Sequence, residues 1–471
     1  MISAFALDLG TTSIKAGSLD RQGALTHIVT HPAPKITGDG GRYESDALAY
    51  AAVAEQALSE CMAREFSGGA SEHIPLGMCS QRSSFLLWER GSGSPVTPLI
   101  SWQDNRGAAS CEALRQKEGL IRDLTGLPLT QYYFAPKLGT LLQDNPDWLA
   151  RLKSGELLAG TLDTFLIWRW TGGKYFVTDA SMAARTQLMD IHKLGWSPQL
   201  CGFFGIPPEI LPEIRPSAGL NLMLDNGLVL QAGVGDQSAA FFASVSRDHE
   251  ALVNLGTGCF VSCPLPDGYL STERSALDGY LHTLVYQDRT QHAHFAIEGT
   301  LNSIAAALAP YPADECLIGD VTLGDVFCVA EPSGLGAPYF RNDVGIHFSQ
   351  QVEHLAPHQI ASLMLEAVIF RVARILENFQ QMFPLERVYL SGGLSELPCL
   401  KHGIANCVPF AVYHLGQAEA SLRGAALLAA GMEPAHNRES ERVEDIVNDG
   451  VLQEKFRRWK IWLDDLLEPK Q

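Results

Sequence analysis

Apolar positions near the start of the chain fall into short runs separated by turn residues. Ile2 to Asp8, Ile14 to Leu19 and Ala24 to Thr30 each have the length and apolar character of a strand, and Gly10-Thr11-Thr12 separates the first two. Ser45 to Arg64 changes period: Leu48, Ala51, Ala52, Ala54 and Leu58 recur near helical spacing. Leu76 to Ser80 predicts a fourth strand, and a helix is expected around Asp104 to Glu118. Asp147 to Arg169 starts as a helix behind Pro146 and carries Leu162, Phe165, Leu166, Ile167 and Trp168 as a buried stripe. Pro207, Pro208, Pro212 and Pro216 mark a loop, after which Leu228 to Val234 predicts a strand running into Gly235-Asp236-Gln237.

The pattern then restarts. Leu252 to Leu255 is an apolar run ending in Gly256-Thr257-Gly258, and Cys259 to Cys263 returns from it. Pro357 to Met382 predicts a long helix whose buried face includes Ile360, Leu363, Val368, Val372 and Leu376. The strand Arg387 to Leu390 meets Ser391-Gly392-Gly393. A helix rich in Ala and Gly follows from Ala418 to Gly431, then a charged helical tail from Asp445 to Leu467. Both halves therefore open with strands and continue with alternating helices and strands, as an internal duplication of an α/β unit would. The Gly-Thr turn occurs once in each half. Its exposed N–H groups and hydroxyls make a small anion-binding concavity, and two such turns facing each other across a cleft would grip the two ends of a triphosphate.

Composition narrows the reading. With 471 residues, 46% hydrophobic and 19% charged, the chain has material for two cores and the balance of a soluble protein. No apolar run is long enough to span a bilayer, and no signal-peptide layout opens the chain. The net charge of −18 disfavours a nucleic-acid partner. Ten scattered cysteines, none spaced C-x-x-C, fit a reduced cytoplasmic setting. Cys259 and Cys263 read as small apolar strand residues, and His292 with His294 as a solvent-facing pair without a third ligand.

From Ser3 to Gly431 the chain resembles the FGGY carbohydrate kinases of the actin-like (ribonuclease H-like) fold. The motifs that carry the resemblance occur in family order: D-L-G-T-T-S at Asp8, S-W-Q-D-N-R at Ser101, T-G-L-P-L at Thr125, A-P-K-L at Ala135, T-D-A-S-M-A-A-R-T at Thr178, L-P-E-I-R-P-S at Leu211, G-V-G-D-Q at Gly233, N-L-G-T-G-C-F at Asn254, E-G-T at Glu298, S-G-L-G-A-P-Y-F at Ser333 and S-G-G-L-S at Ser391. The resemblance implies an α/β chain of two actin-like domains with a central cleft. The expected N-terminal, sugar-binding domain spans 1–242 and the C-terminal, nucleotide-binding domain 243–471.

It also implies site residues. Asp8 would hold Mg²⁺, with Asp236 the second carboxylate of the metal set. Thr11 and Thr12 would meet the γ-phosphate of ATP, with Ser13 and Lys15 in the same group. Gly256 and Thr257 would hold the other end of the phosphate chain, and Gly334, Gly336, Gly392 and Gly393 would lie against the nucleotide. Asp236 matches the family's catalytic base. A primary alcohol is a poor nucleophile and needs a carboxylate within reach of its proton, so this assignment also follows from the chemistry. Left to the residues alone, Asp236 reads equally well as a helix cap.

Gln81, Arg82, Ser83, Trp102, Tyr132, Asp236 and Gln237 line up with the substrate pocket of glycerol kinases. Three departures stand out. Ser83 occupies a position where glycerol kinases carry Glu, which removes a charge and is expected to vacate volume for a polyol or ketose longer than glycerol. The stretch Ile304 to Pro310 ends early where the family has a Trp-containing helix, and Val344-Gly345 replaces the common Arg-Gly. The expected activity is ATP-dependent phosphorylation of a terminal hydroxyl, with glycerol kinase proper as the alternative and a chaperone-type ATPase acting on protein as a remoter one. The expected partners are a small polyol or sugar and, at most, a second copy of the chain in a homodimer; nucleic acid and membrane are not among them.

Overall fold

The computed structural model describes residues 2–65, 73–245, 247–268, 279–316, 325–341, 343–416, 419–434, 440–444 and 450–468. Its contacts form two units. The first comprises Met1–Ala243, His282–Phe295 and Glu419–Ala435; the second comprises Ser244–Leu281, Ala296–Ala418 and His436–Gln471.

Unit 1 is built on a six-stranded sheet. Its strands are β1 (Ile2–Leu9), β2 (Ser13–Asp20), β3 (Leu25–Pro32), β4 (Pro75–Ser80), β5 (Ala218–Met223) and β6 (Val229–Gly235). They run in the order β5-β6-β4-β1-β2-β3. β1, β2 and β3 form an antiparallel meander, whereas β4 lies parallel to both β1 and β6. Parallel neighbours need a crossover, which helix α1 (Ala47–Glu65) supplies between β3 and β4. The sequence places small residues on α1's inner face, and Ala47, Ala51, Ala54, Ala57 and Leu58 are buried against the sheet.

Helix α2 (Asp236–Ser244) starts where β6 ends. The opposite face of the sheet is covered by a later helix, Ala420–Ala430, whose small residues allow backbone contact. A Cβ on Gly77 of β4 would stand 1.9 Å from the Ala425 carbonyl oxygen, and one on Gly424 equally close to that of Ala239 in α2. β4, α2 with Asp236 at its start, and the helix that carries Ser421 are thereby locked together. Residue 418, where the sequence starts this helix, lies outside the described residues, as do residues 445–449 of the tail.

Two expected helices differ. Asp104 to Glu118 is not one helix but the short helix Ala108–Ala113, a 3₁₀ turn and Glu118–Thr125. Between 147 and 169 a buried strand, Leu157–Thr161, separates Pro146–Lys153 from Leu162–Trp170. That strand pairs with Phe85–Glu89 in a second sheet of five strands. A five-residue apolar run fits strand or helix equally, and here the pairing decides.

Unit 2 repeats the plan. Its strands are β7 (Glu250–Leu255), β8 (Cys259–Leu265), β9 (Ala293–Leu301), β10 (Arg387–Ser391), β11 (Ala411–Leu415) and β12 (Ser440–Arg442). These six are consecutive neighbours in a seven-stranded sheet, in the order β9-β8-β7-β10-β11-β12. β7 pairs antiparallel with β8 and parallel with β10, as β1 does with β2 and β4. The long helix spans Pro357–Met382, the bounds its periodicity gives. It buries Arg371 in an ion pair with Glu331 at 2.7 Å and Glu366 in one with Lys455, also at 2.7 Å, from the helix Val451–Leu467. Among the described residues, no helix is long and apolar enough to cross a membrane.

Candidate active site

In unit 1 the turn after β1 is shaped by Gly10, where a Cβ would meet the Ser13 carbonyl oxygen at 2.8 Å. Tyr50 of α1 donates its hydroxyl to the Gly10 carbonyl at 2.5 Å. Thr11 donates to Gln81 Oε1 at 3.2 Å and accepts the Trp102 indole N–H at 3.1 Å. Gln81 is buried; its Oε1 also accepts from Ser84, and its amide donates to Tyr50. Gln81 thus orders the turn and the Trp102 ring, with one of its two amide N–H donors engaged by Tyr50. Thr12 is exposed and Ser13 half-buried. Lys15 pairs with Glu419 at 2.6 Å, so its charge is engaged at the edge of this turn.

Asp8 ends β1. Its Oδ2 accepts from Ser421 at 2.6 Å, while Oδ1 is buried without a partner. Burial pushes the carboxyl up to about 6, the Ser421 hydroxyl opposes this, and the charge of Asp236 adds to it. An orphaned carboxylate oxygen beside a second carboxylate is what a hydrated Mg²⁺ takes, since that ion keeps most of its waters and binds one or two acids. Among the described residues no cluster of three His, Cys, Asp or Glu offers another kind of metal site.

Asp236 opens α2. Its Oδ1 accepts the Gln237 N–H at 2.7 Å and lies 3.6 Å from the Arg82 guanidinium. Burial raises its proton affinity, and Arg82, the Gln237 amide and Arg185 hold it back. A carboxylate that caps its helix would accept from N–H groups two or three residues on; Asp236 instead leaves Oδ2 without a protein donor among the described residues. Gly235 makes room for Arg82: a Cβ there would stand 2.9 Å from its Cδ.

The support behind this turn comes from residues to which the sequence reading assigned no role. Asp179 caps the helix Ala180–Ala184 through the Ser181 and Met182 amides and accepts the Ser217 hydroxyl at 2.5 Å. Burial lifts its carboxyl to about 7. Ser181 Oγ in turn accepts the Gly235 N–H at 2.9 Å, one residue before Asp236. Arg185 ends the same helix and donates to Thr283. The signal for these residues was the motif at Thr178; their task depends on Gly235, Ser217 and Thr283, which only the fold brings near.

Ser83 has φ +64°, a left-handed conformation rare outside glycine. Its hydroxyl donates to the Arg185 carbonyl at 2.9 Å and it is 6% exposed. Its hydroxyl is thus engaged by a backbone carbonyl. Trp102 and Tyr132 are the exposed members of the set, at 38% and 45%, with ring centroids 6.4 Å apart. They offer an open aromatic surface next to Thr11 and the Gln81 network.

In unit 2 the turn between β7 and β8 is held by the backbone. Gly256 N–H donates to Gly258 at 2.8 Å, and Ala305 N–H to the Thr257 carbonyl at 3.1 Å. Thr257 is exposed, as Thr12 is in the first turn. Gly392 has φ +87° and ψ 159°, and a Cβ there would stand 2.5 Å from Asn254 Oδ1 and from the Leu255 carbonyl oxygen. Gly393 faces open space. Gly334 and Gly336 belong to a loop ordered by the buried Glu331, which accepts the Asn302 and Gly336 amides at 2.9 and 2.8 Å while paired with Arg371. Asn302 donates to the Gly334 carbonyl. Cys259 and Cys263 are buried strand residues, and the His294 ring stacks on Tyr286.

Two α/β units of one topology, one with paired carboxylates and both with glycine-threonine turns, define a phosphotransferase of the sugar-kinase class. Residues 3–241 match the N-terminal domain and residues 251–432 the C-terminal domain of the FGGY family of carbohydrate kinases, and the chain belongs to that family. It is 30% identical over 493 residues to the apulose kinase of Pectobacterium atrosepticum, covering 97% of this chain and 96% of that protein. It is 32% identical over 410 residues to the glycerol kinase of Gloeobacter violaceus, covering 82% and 80% respectively. The crystal structure of Plasmodium falciparum glycerol kinase with ADP superposes with a TM-score of 0.85 at 21% identity, over 99% of this chain and 98% of that one, which shows a shared actin-like fold.

Proposed function

We propose that this carbohydrate kinase transfers the γ-phosphoryl group of ATP to a terminal hydroxyl of a small polyol or ketose, with Asp236 as general base. The observation that carries this reading is the Asp236 carboxylate itself. One of its oxygens is pinned by Gln237 and Arg82 and the other is left for a ligand, with proton affinity raised by burial. A hydroxyl placed against Oδ2 gives up its proton there as its oxygen attacks phosphorus, and Arg82 and Arg185 keep the acid poised as a base. In-line positioning then falls to Trp102 and Tyr132 under the carbon chain, with Ser83 and Gln237 at the rim.

Asp8, with Asp236, would hold Mg²⁺, which when bound neutralises charge on the phosphates. Thr11, Thr12 and Ser13 are read as the terminal-phosphate turn, with Lys15 and Glu419 screening its edge. Gly256, Thr257, Gly334, Gly336, Gly392 and Gly393 are read as the remaining nucleotide contacts. Substrate binding is accordingly assigned to residues 1–242 and nucleotide binding to 243–471. The relatives include glycerol kinases as well as an apulose kinase, so glycerol stands as the second reading of the substrate.

The test is ATP turnover with Mg²⁺ against glycerol and a panel of four- to seven-carbon polyols and ketoses, with the product located by ³¹P-coupled NMR. Strong stimulation by one compound, yielding a terminal phosphate ester, supports the reading. ATP hydrolysis indifferent to every small alcohol removes it.

A further inference from the structure

Lys137 lies on the helix Phe134–Asp144 and is fully buried, at 0% exposure. Its ammonium donates to two backbone carbonyls, those of Ser83 at 3.0 Å and Ser101 at 2.9 Å. The face of the Phe85 ring lies 5.7 Å away. The two acceptors belong to different segments. One directly follows Arg82, and the other directly precedes Trp102.

Burying an amine is costly unless its protons are satisfied, and the cost shows as a proton affinity pushed down to about 7 by desolvation. An apolar side chain would fill the same volume without that cost. What it would not do is hold two carbonyls at a fixed separation. Both segments need such a hold. Ser83 sits at φ +64°, a conformation its own hydrogen bonds must maintain. The segment after Ser101 is fastened at its far end, where Asp104 takes the Tyr43 amide and pairs with Arg106, and Arg106 reaches Glu44. Gly107 there packs directly on the backbone of Pro136 and Lys137. Lys137 supplies the near-end fastening, next to the ring.

We infer that Lys137 is a positioning residue for the sugar or polyol: by bridging the Ser83 and Ser101 carbonyls it sets the spacing between Arg82 and Trp102, and so the affinity for the acceptor substrate. This rests on the kinase reading above for the identity of the ligand, but the bridge itself is geometric. A purely structural lysine would affect ATP and acceptor alike. A positioning lysine acts first on the acceptor, because its link to the Thr11 turn runs through the Trp102 indole.

The experiment compares the full-length protein with Lys137→Met, using glycerol, erythritol and D-ribulose as acceptor probes. The expected result is a rise in acceptor KM of roughly tenfold or more, with the KM for ATP within about twofold of the parent. Acrylamide quenching of Trp102, taken as the difference from a Trp102→Phe background, should increase in the variant. An acceptor KM unchanged in a folded variant, or equal losses for ATP and acceptor, overturns the inference. If Lys137→Met does not fold, Lys137→Gln, whose amide can still reach one carbonyl, is read by the same criteria. If the parent phosphorylates none of the probes, the choice of acceptor is at fault rather than the bridge, and the quenching comparison, which needs no substrate, decides whether Lys137 fixes the ring.

Discussion

In the first Gly-Thr turn, side chains do most of the work: Thr11 is shared between Gln81 and Trp102, Tyr50 holds the Gly10 carbonyl, and Asp8 stands two residues before the glycine. In the second, Asn254 takes the place of Asp8 relative to the glycine, and the turn is held by main-chain bonds and by the close approach of Gly392. The backbone plan is the same and the charge is not. A carboxylate belongs where a cation and a reacting hydroxyl must be managed. An uncharged turn of N–H groups belongs where a phosphate only has to be held. The scaffold occurs twice, and in the proposed mechanism the difference of one acid against one amide divides the chemistry between the copies.

The largest effect should come from erasing that difference. Asp8→Asn gives the first turn the chemistry of the second with almost no change in shape. Turnover with Mg²⁺·ATP is expected to fall by at least roughly a hundredfold, since metal stabilisation of the transferring charge is worth several kcal/mol. A Mg²⁺ titration of the variant that superposes on the parent's would contradict the assignment. The converse test strains the second turn. Gly392 occupies a region of backbone space open essentially to glycine alone, so Gly392→Ala should cost about 1–3 kcal/mol locally. It is expected to raise the KM for ATP by about tenfold and leave the acceptor KM in place, measured by steady-state kinetics with each substrate varied.

A smaller effect sharpens the account of the first turn. Trp102→Phe keeps an aromatic surface but removes the indole N–H to Thr11. One neutral hydrogen bond is worth about 0.5–1.5 kcal/mol net, so kcat/KM for the acceptor should drop by roughly two- to tenfold. Thr11→Val should lose more, since it also breaks the bond to Gln81 and the proposed phosphate contact, but the double variant should fall short of the sum of the two because they share one interaction. Additive losses would mean that Thr11 and Trp102 act separately.

The duplicated topology, the two turns and the bounds of Pro357–Met382 were legible in the sequence, because periodicity and Gly-Thr punctuation are local. Asp8, Asp236, Arg82 and Trp102 were legible as motif positions. Lys137, Asp179, Ser181 and Arg185 were not, although the motifs containing them were noticed. Two of them act on a main-chain group distant in sequence, Ser181 on Gly235 and Lys137 on Ser83 and Ser101, and the other two meet the distant hydroxyls of Ser217 and Thr283. A residue that binds backbone leaves no pattern in its partner's side chain. Ser83 shows the same limit. Its identity suggested an opening, and its torsion and its bond to the Arg185 carbonyl give the position a structural use.

The smallest effect on turnover, and a distinct one on stability, concerns pH. Lys137 has a folded proton affinity near 7 against an ordinary lysine value of 10.5. Between these values the unfolded chain binds the proton and the folded chain does not, so folding stability rises with pH across that window. The parent should therefore gain stability from pH 7 to 10 relative to Lys137→Met, as read by urea unfolding at several pH values. Parallel pH profiles would show that the amine is not desolvated.

The central claim is that Asp236 takes the proton while the nucleotide is held elsewhere. It is tested most directly by measuring, on one preparation of Asp236→Asn, both Mg²⁺·ATP affinity by calorimetry and single-turnover phosphoryl transfer to the best acceptor. The account predicts Mg²⁺·ATP affinity lowered by no more than about tenfold, since Asp8 and the glycine turns remain, and transfer slowed by about 10²–10⁴-fold. Transfer at a near-parental rate, or ATP affinity lost together with transfer, would contradict it.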